Sequence, residues 1–215
     1  MSYLVVVAHP DDEIMFLSPT IKKLKSYGVP MKIICMSTGN YDGLGKLRIE
    51  EFNNVAQTLG MKDYKIIDHP QMQDHLYKPW NISVVESYLK DYLDNNPDIG
   101  TIISFDEKGV TKHPNHMSVH KGIQLYIKEH KYDIMKKGIN IFFFDTFSPF
   151  IQYGTILPYL NMYFKESGFF DWNFFFSWNH MKLYKTQFNF PRRVHVLCSG
   201  YTFSNSFNKV QIMNE

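Results

Sequence analysis

The chain has 215 residues, of which 44% are hydrophobic, and 23 basic against 21 acidic residues give a formal net charge of +2. This length predicts a single domain over residues 1–215, and the near-neutral charge argues against a nucleic-acid partner. The two cysteines, Cys35 and Cys198, form neither a disulfide framework nor a zinc-finger spacing, which favours a reducing compartment. No secretory signal opens the sequence and no apolar run reaches about 18 residues, so we expect a soluble or peripheral protein.

Strands and helices are predicted to alternate along the first 130 residues. Short apolar runs predict strands at Tyr3–Ala8, Met31–Met36, Tyr64–Ile67 and Thr101–Phe105. Apolar residues at helical spacing predict helices at Ile14–Tyr27, Gly45–Leu59, Ile82–Leu93 and His116–His130. This alternation indicates an α/β fold, with a doubly wound, mostly parallel sheet and helices on both faces.

The composition changes after Gly138, because eleven of the eighteen phenylalanines lie between Phe142 and Phe176. One interpretation of this aromatic-rich C-terminal extension is a strand and a packed aromatic core. The other is a lipid-facing surface, since basic side chains follow the aromatic run and would suit a protein that rests on lipid headgroups. These basic residues are Lys182, Lys185, Arg192 and Arg193.

The stretch AHPDDE places one imidazole and two carboxylates directly after the first strand. In doubly wound sheets, ligands bind at the carboxyl ends of the strands. Adjacent charges at Asp11 and Asp12 repel each other, so the pair with His9 predicts a bound cation. The alternative is a solvated turn in which an Asp caps the next helix.

A second polar group follows the fourth strand, where Asp106 leads into His113-Pro114-Asn115-His116. Because strands one and four are neighbours in the strand order 3-2-1-4, we expect this group to meet AHPDDE. His113 and His116 are three residues apart at the start of a helix and can face the same side.

Two imidazoles and one carboxylate are typical of catalytic zinc, and they also suit ferrous iron in oxygenases. The additional carboxylate favours a hydrolase, because a carboxylate that is not a ligand can act as the general base.

Three motifs together resemble the PIG-L-like de-N-acetylases: AHPDDE, STGNYDGLGKLRIEE and SFDEKGVTKHPNH. The resemblance implies a Rossmann-like sheet and a Zn²⁺ site, or a site for another divalent metal, formed by His9, Asp12 and His116. It assigns Asp11 as the general base. His113 would stabilise the oxyanion as a cation, with Asp106 orienting it and keeping it protonated.

The implied reaction removes the acetyl group from N-acetylglucosaminylphosphatidylinositol, in the biosynthesis of GPI anchors. It would take place at the cytoplasmic face of the endoplasmic reticulum membrane, with the chain bound peripherally or with its anchor absent from this sequence. Two alternatives stay open. The substrate could be a soluble GlcNAc compound, such as a thiol precursor or a chitooligosaccharide, or the chain could be an inactive interaction module.

The loop after the second strand is expected to contact the substrate through Thr38 and Asn40. Arg48 is the candidate for the phosphate, because its planar guanidinium suits a bidentate contact. The alternative for Arg48 is a surface ion pair with Glu50 or Glu51.

Overall fold

The structure is a computed structural model that describes residues 1–154, 160 and 167–212. The strands are β1 Ser2–Val7, β2 Met31–Cys35, β3 Asp63–Ile66, β4 Ile99–Phe105, β5 Asn140–Phe144, β6 Gly168–Phe170 and β7 Ser204–Lys209. The helices are α1 Asp12–Ser26, α2 Gly45–Leu59, α3 Ile82–Asp94, α4 Gly109–Lys112, α5 Pro114–Glu129, α6 Lys131–Lys137, α7 Pro149–Gln152, α8 Phe175–Met181 and α9 Phe190–Cys198. The predicted strands and helices of the first 130 residues are all present, with their ends shifted by no more than two residues.

The described strands form one seven-stranded sheet in the order β3-β2-β1-β4-β5-β7-β6. Strands β1 to β5 pair in parallel, whereas β7 is antiparallel to both β5 and β6. The mostly parallel α/β fold is therefore confirmed. The central strand β1 is a buried apolar run, as expected where helices cover both faces of a sheet. Strand β1 lies between β2 and β4, so the loops that follow these three strands meet at one edge.

Part of the aromatic C-terminal region is buried and part is exposed, so each of the two interpretations of its sequence describes some of its residues. Phe143 and Phe144 of β5 are buried, and the Phe144 ring packs 5.3 Å from Phe105, centroid to centroid. In contrast, Trp172, Phe175 and Phe190 are exposed, as is Phe150. Phe164 lies outside the described residues. Among the described helices, none combines the length and the apolar character needed to cross a membrane.

Candidate functional site

The turn between β1 and α1 carries the first part of the site. Asp12 begins α1, and its Oδ2 accepts hydrogen bonds from the backbone N–H groups of Ala8 (3.1 Å) and His9 (2.8 Å). Asp11 occupies the capping position, but its side chain makes no capping hydrogen bond. The capping alternative from the sequence therefore does not describe Asp11, whose carboxylate is turned to other partners.

Potential ligand atoms of three residues, His9, Asp12 and His116, converge at the edge of the sheet. His9 Nδ1 lies 3.3 Å from His116 Nε2, and the Asp12 carboxylate oxygens lie 3.6 Å from His9 Nδ1 and 3.4 Å from His116 Nε2. Tetrahedral zinc with bonds of about 2.0–2.2 Å separates its ligand atoms by roughly 3.3–3.6 Å. The distance between the two imidazole nitrogens, and the distance from each of them to one oxygen of Asp12, therefore match the spacing of zinc ligands.

Neighbouring groups orient both imidazoles toward this point. His116 Nδ1 lies 3.0 Å from the carbonyl oxygen of Gly109, to which it can donate, so Nε2 is left with its lone pair toward the site. His9 Nε2 lies at ion-pair distance, 3.2 Å, from Oδ1 of Asp74, which leaves His9 Nδ1 for a metal. Such partners set the tautomer and the ring orientation of metal-binding histidines. Asp74 follows β3 in the chain and was not predicted as a site residue.

Burial and charge act against each other on this cluster. Burial by itself would raise the pKa of Asp12, but the adjacent imidazoles of His116 and His9 outweigh it and hold that pKa below its usual range. Burial by itself would lower the pKa of His9, and the carboxylates of Asp74 and Asp12 raise it instead. The carboxylates thus compensate positive charge at the site.

His113 lies beside the three converging residues. One potential ligand atom from each of His9, His113 and His116 falls within 4.8 Å of the others. His113 caps α5, and its Nδ1 accepts a hydrogen bond from the N–H of Asn115 at 3.3 Å. Burial, reinforced by His9 and His116, lowers the pKa of His113 to about 4. The neutral ring then carries its proton on Nε2.

Asp106 does not contact His113 as the sequence led us to expect. Its carboxylate accepts hydrogen bonds from the N–H groups of Lys108 and Gly109, and from the N–H and hydroxyl of Thr146. Among the described residues it makes no hydrogen bond to His113. The expectation that Asp106 keeps His113 cationic is therefore wrong for this structure, because Asp106 instead ties the loop after β4 to the loop after β5.

Asp11 is almost fully buried between two arginines. Its Oδ1 lies 3.3 Å from Nη2 of Arg48, and its Oδ2 accepts a hydrogen bond from Nε of Arg192 at 2.7 Å. Asp11 has φ of 107°, in the left-handed region that residues other than glycine rarely adopt. Its backbone N–H donates to Glu13 at 3.3 Å, and Glu13 in turn accepts a 2.5 Å hydrogen bond from the Tyr184 hydroxyl. This chain of hydrogen bonds holds the strained residue in place.

Glu13 is itself a buried carboxyl group. Burial raises its pKa to about 8, although the hydrogen bond from Tyr184 acts in the opposite direction. The pKa of the Tyr184 hydroxyl lies well above its usual value, because the group is buried and faces Glu13. Tyr184 therefore stays a hydrogen-bond donor to Glu13 at neutral pH.

Arg48 is buried and its guanidinium is already paired within the protein. Nη1 donates to the carbonyl oxygen of Gly39 at 2.8 Å, and Nη2 donates to that of Pro10 at 2.5 Å. Gly39 has φ of 64°, and a Cβ there would lie 2.4 Å from Nη1 of Arg48, so this position requires glycine. These contacts exclude the alternative of a surface ion pair with Glu50 or Glu51, and they join the first two loops of the site.

The expected substrate residues Thr38 and Asn40 do not line the central cavity. Thr38 is buried, and Oδ1 of Asn40 accepts a hydrogen bond from the N–H of Gly45 at the start of α2. The cavity of about 310 Å³ is instead lined on this side by Tyr41 and Asp42. Of the two loop residues that we predicted for substrate contact, Thr38 is therefore buried within the loop, and Asn40 is exposed and joins the loop to α2.

The opposite wall of the cavity comes from the C-terminal part of the chain. Gln187, Asn189 and Arg192 line it, alongside His9, Asp11, Asp12, Arg48, His113 and His116. Asn189 caps α9, because its side-chain Oδ1 accepts a hydrogen bond from the backbone N–H of Arg192. An Asn followed after one residue by Pro is a helix-start signal in the sequence, but nothing in the spacing shows that this helix faces the first loop.

Comparison with known proteins shows which family this chain resembles. The family model PIG-L, described as GlcNAc-PI de-N-acetylase, matches residues 4–127. The N-acetylglucosaminyl-phosphatidylinositol de-N-acetylase of Saccharomyces cerevisiae is 37% identical over 132 residues, which cover 59% of this chain and 43% of that protein. A probable enzyme of the same name from Schizosaccharomyces pombe is 35% identical over 130 residues, covering 59% and 52%. The chain thus spans about half the length of these relatives.

The fold is also similar to a solved structure. N,N'-diacetylchitobiose deacetylase from Pyrococcus horikoshii superposes with a TM-score of 0.71 at 16% identity, over 98% of this chain and 84% of that one. At this identity the likeness concerns the fold. It extends to the C-terminal part of the chain, which the family model leaves out.

Proposed function

Because the chain belongs to the PIG-L family, we propose that it is a zinc-dependent hydrolase that deacetylates N-acetylglucosaminylphosphatidylinositol, giving glucosaminylphosphatidylinositol and acetate. The observation that carries this proposal is the convergence of His9, Asp12 and His116 at zinc-ligand spacing, beside a carboxylate, Asp11, that is not needed as a ligand. The lipid-linked substrate rests on the names of the yeast relatives.

In the proposed reaction His9, Asp12 and His116 hold the metal. A zinc ion supplies Lewis-acid polarisation of the acetamide carbonyl and lowers the pKa of water toward neutrality. Asp11 accepts the proton of the attacking water as general base and returns it to the nitrogen of the leaving amine when the C–N bond breaks. His113 donates a hydrogen bond from Nε2 to the developing oxyanion as a neutral imidazole, in place of the cation that we expected from the sequence.

Arg192 is our candidate for the contact with the substrate phosphate, in place of Arg48. Arg192 is partly exposed at the cavity, and only its Nε is paired, with Asp11. Within the described part of the chain its two Nη atoms have no hydrogen-bond partner. Arg48 is buried with both Nη atoms engaged, so a phosphate would have to displace two backbone carbonyls to reach it.

The site of action that the resemblance implies is part of the same proposal. A substrate anchored in lipid requires the protein to work at a membrane surface, and we place it at the cytoplasmic face of the endoplasmic reticulum, in peripheral contact with the bilayer. The exposed aromatic side chains of the C-terminal region support this contact.

A second candidate substrate is a soluble GlcNAc compound, such as a thiol precursor or a chitooligosaccharide. The fold similarity to the diacetylchitobiose deacetylase favours it. The two candidates differ in the phosphodiester and the lipid, so the same assay separates them.

The test is mass spectrometry of GlcNAc-phosphatidylinositol incubated with the purified protein, with and without a chelator. We expect loss of one acetyl group that stops on chelation and returns on adding zinc. GlcNAc-inositol and diacetylchitobiose are run in parallel. Preference for either of them would replace the lipid-linked substrate. No reaction with any of the three at stoichiometric zinc would indicate the inactive interaction module.

A further inference from the structure

The helix α9 has two faces of different character. Its inner face holds Arg192, whose Nε contacts Asp11, together with His195, whose Nε2 lies 3.1 Å from the carbonyl oxygen of Met15. Val196 on the same side is buried. These contacts fix the helix against α1, so its outer face has a defined orientation relative to the site.

The outer face of α9 is apolar and open to solvent. Phe190, Val194 and Leu197 are 78%, 39% and 46% exposed. Their spacing of four and three residues puts them in one stripe along the helix. Arg193 borders the stripe, and its guanidinium is held 4.7 Å from the Phe188 ring centroid. An apolar stripe edged by a cation is typical of a helix that lies in a membrane interface.

The surrounding segment carries charge of one sign. From Trp172 to Asn214 the sequence contains no Asp or Glu, while it contains Lys182, Lys185, Arg192, Arg193 and Lys209. In the same segment Trp172 and Phe175 are 65% and 60% exposed. A segment that combines exposed aromatic rings with cations and contains no acidic residue is suited to anionic headgroups above an apolar layer. This complementarity favours a bilayer over a protein partner.

We propose that α9 docks the protein on an anionic lipid bilayer, with the stripe Phe190, Val194 and Leu197 inserted among the acyl chains. Because Asn189 and Arg192 at the start of this helix line the cavity, docking brings the cavity mouth to the headgroup level. A lipid-linked substrate then reaches the site without leaving the bilayer. The choice of a bilayer as occupant rests in part on the proposed function.

Vesicle flotation tests the docking face without any turnover. The wild-type protein is mixed with vesicles of phosphatidylcholine containing phosphatidylinositol, and with vesicles of phosphatidylcholine alone. We expect preferential binding to the anionic vesicles, weakened by salt. The double variant Phe190→Ser, Leu197→Ser is expected to lose about tenfold or more in partition coefficient.

The matched control is the double variant Tyr27→Ser, Tyr132→Ser, because these side chains, directly after α1 and on α6, are 65% and 76% exposed and lie outside the proposed face. We expect it to bind vesicles like the wild type. Both double variants should keep the wild-type urea midpoint and the wild-type rate on soluble GlcNAc-inositol, since the changed side chains lie outside the cavity.

Two results would overturn the docking proposal. One is equal vesicle binding by the wild type and the Phe190/Leu197 variant. The other is a wild-type dimer in sedimentation velocity that this variant converts to monomer without a change in vesicle binding, which would assign the stripe to a second copy of the chain. Vesicle binding through α9 in a protein that deacetylates nothing would overturn the proposed function alone.

Discussion

Arg192 donates a 2.7 Å hydrogen bond from its Nε to Oδ2 of Asp11 across 181 positions of the sequence. This contact joins the region matched by the family model to a helix beyond it. The residue that we propose as general base is therefore positioned by the C-terminal part of the chain, which also supplies one wall of the cavity.

The first prediction concerns Arg192. We expect Arg192→Gln to raise KM for a short-chain, water-soluble GlcNAc-phosphatidylinositol by about 10- to 100-fold, since it removes a charge-assisted contact to the phosphate. The KM for GlcNAc-inositol, which has no phosphate, should change less than about threefold. Arg193→Gln is the matched control, because Arg193 borders the outer stripe of the helix. An equal rise in KM for both substrates would mean that Arg192 positions Asp11 and does not contact the phosphate.

Asp11→Asn should separate metal binding from turnover. The variant keeps His9, Asp12 and His116, so we expect stoichiometric zinc by elemental analysis. The rate should fall by about 10²- to 10⁴-fold, because a general base is lost. Asp42→Asn, at another carboxylate that lines the cavity, serves as the control and should retain most activity. Turnover above about a tenth of the wild-type rate in Asp11→Asn would show that another group accepts the proton.

Asp74→Asn should weaken metal binding although Asp74 is not among the three ligands. Asp74 lies 3.2 Å from Nε2 of His9, and loss of such a partner costs about 10- to 100-fold in metal affinity. Competition with a chelator of known affinity measures the effect. Asp68→Asn is the control, since Asp68 is exposed and accepts a hydrogen bond from Gln73. Identical zinc affinities of the Asp74 variant and the wild type would show that Asp74 does not contribute to metal binding.

Tyr184→Phe should destabilise the fold, because it removes the hydroxyl that donates to the buried Glu13. An unsatisfied buried acceptor costs about 1–3 kcal/mol, and we expect this decrease in the free energy of unfolding by urea titration. Tyr132→Phe, at an exposed position of α6, should stay within about 0.5 kcal/mol of the wild type. A Tyr184 variant as stable as the wild type would mean that water satisfies Glu13.

The ion pair of Lys32 and Asp98 predicts an acid-dependent contribution to stability. Lys32 is buried in β2, and its Nζ lies 2.6 Å from Oδ1 of Asp98. Hydrogen bonds from Lys32 and Ser2 hold the pKa of Asp98 below its usual range. A lowered folded-state pKa stabilises the protein above the unfolded value of about 3.9, and this stability is lost as the pH falls further.

We therefore expect Asp98→Asn to have a lower urea midpoint than the wild type at pH 7, with the difference shrinking at pH 3. Asp91→Asn is the control, because Asp91 pairs with Lys65 on the exposed surface and such pairs contribute little. A constant difference between Asp98→Asn and the wild type at both pH values would contradict the proton linkage.

Hydrophobic periodicity was sufficient to predict the four strands and four of the five α-helices that begin in the first 130 residues, but not the short helix α4. The apolar run of β1 and the spacing of Ile14, Leu17 and Ile21 in α1 report burial directly, because side chains repeat every two residues in a strand and about every 3.6 in a helix. The alternation of these elements in turn predicted a parallel sheet, and therefore the approach of His9 to His116. That approach depends only on the order of the strands.

The sequence by itself determined that two distant motifs, both carrying side chains of the metal-ligand type, meet at the edge of a parallel sheet. Only the tertiary structure decided the partners of each side chain: Asp74 at His9, Arg192 at Asp11, Thr146 at Asp106, and two backbone carbonyls at Arg48. The physical reason is that backbone periodicity constrains which face a residue occupies, whereas a hydrogen bond depends on two atoms approaching within about 3 Å. A side-chain contact such as that of Arg192 with Asp11 leaves no spacing in the sequence from which the partner could be inferred.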